Sequence, residues 1–160
     1  MTNYTTLEDT IVARIASENY TSAVMPDCES DLNRTPVKPS VYVSYTSSTF
    51  ASPDRTFLVT QMETITFEVV IRAMKRRGAG GVFSIIKEVG EKLQGYKALA
   101  GADRITLVNQ NFIDDGSNAW NYIMAFNIIV PCVATQEDPD AENADDNAYL
   151  LKRPEFVENQ

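Results

Sequence analysis

The sequence predicts an α+β domain: a mainly antiparallel sheet with two helices packed on one of its faces. Three observations predict it. Two segments carry apolar residues at helical spacing, one early (Leu7, Ile11, Val12, Ile15) and one mid-chain (Val82, Ile85, Ile86, Val89, Leu93). A long run between them alternates Ile65, Phe67, Val69 and Ile71 with Thr64, Thr66, Glu68 and Arg72, the period of a half-buried strand. A closing hairpin then puts Trp120, Tyr122, Met124, Phe126, Ile128 and Val130 on one strand face. A chain of 160 residues with 44% hydrophobic content suits one such domain, residues 1–134, followed by an acidic extension, 135–160. No internal repeat is visible.

Taken in order, the first helix has a capping pair, Thr5 with Glu8 or Thr6 with Asp9, and is expected to end near Asn19. Residues 26–40 hold Pro26, Pro36 and Pro39 among polar residues and read as a long loop. Val41–Thr46 is a short strand, and Ser47–Arg55 a second polar loop with Pro53. The long strand follows. Phe57–Val59 either extends it or forms a hairpin partner across Gln61–Glu63. Lys75-Arg76-Arg77-Gly78-Ala79-Gly80-Gly81 is a basic glycine loop that starts the second helix, Val82–Tyr96, with Gly95 as its stop. Asp114-Asp115-Gly116-Ser117-Asn118 is the turn between the last two strands.

Composition narrows the function. The chain has no histidine, which removes the commonest general base, the usual serine and cysteine triads and most zinc sites. Its two cysteines, Cys28 and Cys132, are far apart and make no metal pattern; they read as small core or surface residues. No apolar run approaches the ~20 residues of a membrane helix. The start, MTNYTTLEDT, lacks the basic and apolar parts of a signal peptide, so a cytoplasm-like compartment is expected. The net charge of -8 is unevenly placed. Residues 135–160 hold eight of the 22 acids and two of the 14 bases, leaving 14 acids against 12 bases elsewhere. Such a run reads as a solvated charged arm, and so acidic a chain is a poor partner for nucleic acid. Membrane partners and cofactors are not expected either.

The candidate sites point to contact rather than chemistry. Gly78-Ala79-Gly80-Gly81 precedes a helix start, where free N–H groups can hold an anion. However, no Lys-Ser or Lys-Thr follows the glycines, and Phe83 stands where G-x-G-x-x-G needs glycine. Lys75, Arg76 and Arg77 then read as a solvated or partner-facing patch, with Gly78, Gly80 and Gly81 in the same candidate contact. Asp114 and Asp115 are explained by turn chemistry. Asp138, Asp140 and Glu142 resemble a calcium loop, but Asn143 and Tyr149 occupy the positions that need glycine and glutamate. Trp120 fits a core or subunit contact, and Tyr149, Leu150, Leu151 and Phe156 give the acidic arm an apolar end able to dock. No catalytic, cofactor-binding or metal-binding residues are predicted, and an enzyme is not expected.

The order of these elements resembles the tail-terminator proteins of Mu-like contractile-tailed phages. The likeness covers residues 5–131. It rests on TLEDTIVARI, PSVYVSYT, FEVVIRAM with its basic loop, GVFSIIKEVGEKLQGYK, and RITLVNQNFIDDGSNAWNYIMAFNI. The acidic extension after Val133 lies outside that pattern. The resemblance implies a virion structural protein at the head–tail junction. It would form a hexameric ring on the head-proximal end of the tail tube, end tube growth and meet the neck or connector. Its implied partners are copies of itself, the tube protein, the sheath, and neck proteins. Complementary charge between the basic loop and the acidic arm, between subunits or toward the tube, is expected to help. Two alternatives stay open: another neck or tail-completion ring protein, or a small-molecule or nucleotide-binding domain using the glycine loop.

Overall fold

A computed structural model describes residues 2–27, 37–52, 60–114 and 118–133. Its elements run α1 (Tyr4–Ile15), β1 (Thr21–Val24), β2 (Ser40–Phe50), β3 (Thr60–Ala73), α2 (Val82–Leu93), β4 (Thr106–Ile113) and β5 (Trp120–Val133). The strands form one sheet in the order β1-β2-β3-β5-β4. All pairings are antiparallel except β1 with β2. The α+β class, the mainly antiparallel sheet and the two helices are thus as expected.

Register decides which side chains meet the helices. Val41, Val69, Ile71, Phe67, Phe126 and Met124 share the helix-covered face and are buried. At its centre the Phe67 and Phe126 rings stack with centroids 5.5 Å apart. Leu7, Ile11 and Ile15 of α1 pack onto this face beside β1 and β2. Val82, Ile85, Val89 and Leu93 of α2 pack over β3 and β5. The opposite face carries polar pairs instead. Thr66 Oγ1 donates to Asn127 Oδ1 at 2.9 Å, and Arg72 Nε donates to Asn121 Oδ1 at 2.9 Å.

Several boundaries differ from expectation, each for a local reason. The first helix is capped by Asn3, whose side chain accepts from Thr6 N–H at 3.2 Å, and not by Thr5 or Thr6. It stops at Ile15 and not near Asn19, because other groups take over its last carbonyls. Tyr20 Oη donates to Ile15 O at 2.6 Å, and Lys92 Nζ donates to Ala16 O at 2.8 Å. Burial pushes the Tyr20 phenol up to about 12, so it stays protonated for that bond. Arg14 Nε reciprocates by donating to Lys92 O at 3.0 Å, so each helix supplies a cation to the end of the other. The second helix ends at Leu93 and not Tyr96, with Gly95 at φ 79 just beyond it, the stop expected there.

The strand β1 lies where no element was expected. Strand β2 runs on through Ser47–Phe50, read as loop. A register shift between Tyr45 and Ser47 lets it continue along β3. The shifted Tyr45 N–H donates to Glu8 Oε1 of α1 at 2.6 Å. Ser48 Oγ donates to Glu63 Oε1 at 2.7 Å.

Glu63 ties the start of α1 to the sheet. Its fully buried side chain also accepts from Tyr4 Oη at 2.6 Å and Thr2 Oγ1 at 3.2 Å. The Tyr4 ring stacks on Tyr45 at 4.2 Å. Burial pushes the Glu63 carboxyl up, but the hydroxyls of Tyr4, Ser48 and Thr2 outweigh it and hold the group below its ordinary value.

Candidate subunit interface

The basic loop joins β3 to α2 at one end of the sheet. Lys75, Arg76, Arg77 and Gly78 are exposed, and Gly81 is buried as the N-cap of α2. The loop folds on itself tightly. A Cβ at Gly81 would lie 2.7 Å from the Arg77 carbonyl carbon, so only glycine fits there without a shift. Gly78 and Gly80 have φ of 84 and 70, the left-handed region glycine favours.

That folding closes the helix start to anions. Val82 N–H donates to Lys75 O at 3.0 Å, and Phe83 N–H donates to Arg76 O at 3.2 Å. Ser84 and Ile85 N–H both donate to Gly81 O, at 3.1 and 3.2 Å. The first-turn donors that a phosphate would need are therefore already used by the loop's own carbonyls. The geometry argues against the nucleotide-binding alternative.

The loop does bring two predicted residues together. The Arg76 guanidinium lies 5.0 Å from the Trp120 ring centroid and 5.1 Å from that of Phe83. Phe112 extends the cluster, 5.6 Å from Trp120 and 5.4 Å from Tyr122, and Phe83 meets Tyr122 edge-on at 6.0 Å. Phe83 and Phe112 remain 40% and 48% exposed, an accessible aromatic surface with a cation at its centre.

This surface continues along β4. Seven of its eight residues are exposed, and among the described residues β4 forms the outer edge of the sheet. Leu107 and Val108 are 41% and 53% exposed. The strand TLVNQNFI contains neither charge nor proline, the usual protections of an open edge; its one irregularity is a register shift between Leu107 and Asn109. The opposite edge, β1, has four residues and half-buried alternate positions.

Of the remaining predicted residues, Asp114 is exposed just after β4, on the same hairpin as Phe112. Asp115, Tyr149, Leu150, Leu151 and Phe156 lie outside the described residues. Sequence reasoning missed Phe83, Phe112, Leu107 and Val108. The available signal was Phe83, which falls off the buried stripe of α2 and is therefore an aromatic on its outer side.

Residues 11–148 match the family model described as Gp37 protein. The chain belongs to the Gp37 protein family. That family is phage-related. A chain in the solved virion of a native gene transfer agent particle is similar at 16% identity, over 81% of this chain and 91% of that one, with a TM-score of 0.44. Among curated proteins, none matches the chain.

Proposed function

We propose that this chain is a non-enzymatic structural subunit of a phage-type particle, and that it closes into a ring through the β4 edge and the Arg76 aromatic cluster. The observation that carries the reading is the edge strand without charge or proline, with its own Leu107, Val108 and Phe112 exposed. An edge of that kind is a template for another chain. The two sheet edges differ in length and chemistry, which favours head-to-tail contacts that close by rotation over self-matching ones. Membership in a phage-related family supports the virion setting.

The finer proposal is a hexameric tail terminator. A ring subunit that matches the tube end through one surface, and offers a different far side, would block further addition and present a platform to the neck or connector. Imaging of intact particles at the head–tail junction tests it. A sixfold ring fitting this fold at the top of the tube is expected, and particles lacking the chain should carry tubes of uncontrolled length. A ring at another level of the neck would reassign the chain to neck completion. A fold fitting no density in the particle would overturn the reading.

A further inference from the structure

We propose that the docking surface around Arg76 receives the acidic C-terminal extension of a second copy of this chain. The proposal rests on the oligomeric reading above and names the segment that fills part of the contact.

The surface combines Lys75, Arg76 and Arg77 with the exposed rings of Phe83 and Phe112. Its complement is a segment with aromatic or aliphatic anchors among carboxylates, since anchors fill apolar surface and carboxylates pair with guanidinium groups. The chain contains such a segment. Tyr149-Leu150-Leu151 and Phe156-Val157 stand among Asp145, Asp146, Glu155 and Glu158, which outnumber the two bases between the anchors, Lys152 and Arg153.

Position favours a second copy. Trp120, beside Arg76, opens β5, and Val133 closes it. At about 3.3 Å per residue the two ends of that strand lie ~43 Å apart. The basic surface and the root of the acidic extension are therefore at opposite ends of the sheet. Fully extended, the chain from Val133 to Tyr149 reaches at most ~53–58 Å. To reach its own Arg76 the extension would have to use roughly three-quarters or more of that limit. A neighbouring copy whose basic end lies beside the acidic root removes that demand.

The test uses the full chain. Equal amounts of nitrogen-15-labelled and unlabelled protein are mixed, dissociated and reassembled, then treated with a zero-length carbodiimide that joins lysine to carboxylate. Light scattering follows the assembly state in parallel. The expected result is a cross-link from Lys75 to carboxylates within residues 137–158, with about half of the linked peptides of mixed isotope. An Arg76→Glu, Arg77→Glu variant, which keeps Lys75, should lower that yield at least several-fold. Adding Glu155→Lys and Glu158→Lys should restore assembly. Cross-links of single isotope only would overturn the proposal in favour of folding back within one chain. Assembly that persists with no Lys75 cross-link to the extension would overturn it while leaving the ring intact. A chain that stays monomeric throughout would overturn both.

Discussion

Phe126 and Phe112 lie on the same face of the same sheet, one at its centre and one at its edge. Phe126 is buried, stacked on Phe67, beneath the helices. Phe112 is 48% exposed, tilted against Trp120 and Tyr122, with an arginine nearby. Residue type is therefore not what separates the core from the exposed edge; helix coverage is. The helices α1 and α2 pack over β1, β2, β3 and β5, and among the described residues no helix covers β4. The covered part can be complete within one chain. The open part exposes apolar area, which the proposed neighbour would bury.

The largest effect should come from testing that contrast directly. Phe67→Ala removes one ring of the central stack and is expected to cost about 3–5 kcal/mol. Phe112→Ala, on the same face, should cost about 1 kcal/mol or less, because its ring is already half solvated. Urea unfolding of both variants as monomers measures the difference. Equal losses would mean that the edge belongs to the folding core.

Legibility in the sequence follows the same divide. The two helices, the long strand and the face shared by Trp120 to Val130 were readable because a covered face imposes an unbroken apolar period. Thr21–Val24 was not readable, since a four-residue edge strand imposes no such period. Ser47–Phe50 looked like a loop because Ser48 earns its place by bonding Glu63, a partner distant in sequence. The basic loop was legible as an exposed join between strand and helix by its charge and glycines. Its aromatic companions were not, because Phe83 and Phe112 meet around Arg76 and Trp120 only once β3, α2 and the β4–β5 hairpin converge.

The next effect concerns how the covered half is held at its margin. Glu63→Gln weakens three hydroxyl contacts to a buried carboxylate and is expected to cost about 1–3 kcal/mol at neutral pH. The pH arm sharpens this. The Glu63 carboxyl is held below its ordinary value of about 4.5, so its contribution is full above that value and is lost as pH falls through the lower folded value. Unfolding free energy should therefore drop less steeply with acidification in the glutamine variant than in the parent. Parallel pH profiles would show that Glu63 does not anchor α1.

A smaller effect is expected where the helices end. Lys92→Met keeps the apolar stem but removes the ammonium from Ile15 O, Ala16 O and Glu88. The loss should be about 1–2 kcal/mol. Lys92 also holds the Glu88 carboxyl below its ordinary value, so that carboxyl should titrate higher in the variant, as carbon-13 chemical shifts would show. An unchanged Glu88 titration would place the contact outside the stabilising set.

The smallest effect on stability should accompany the largest effect on assembly. Arg76→Ala removes two contacts between a guanidinium and exposed rings, each in solvent, where such contacts are worth about 0.5–1 kcal/mol. Thermal unfolding of the monomer should shift by only a few degrees. The same change takes the cation out of the centre of the surface proposed to meet a neighbour, so light scattering should show self-association weakened by about tenfold or more. Arg14→Ala provides the control. Arg14 also lies over a ring, that of Tyr96 at 4.6 Å, and it donates to Lys92 O on the helix side. It should lower stability without touching assembly. If the two variants behave alike, the division between a covered half that folds and an open half that assembles fails at the residue chosen to define it.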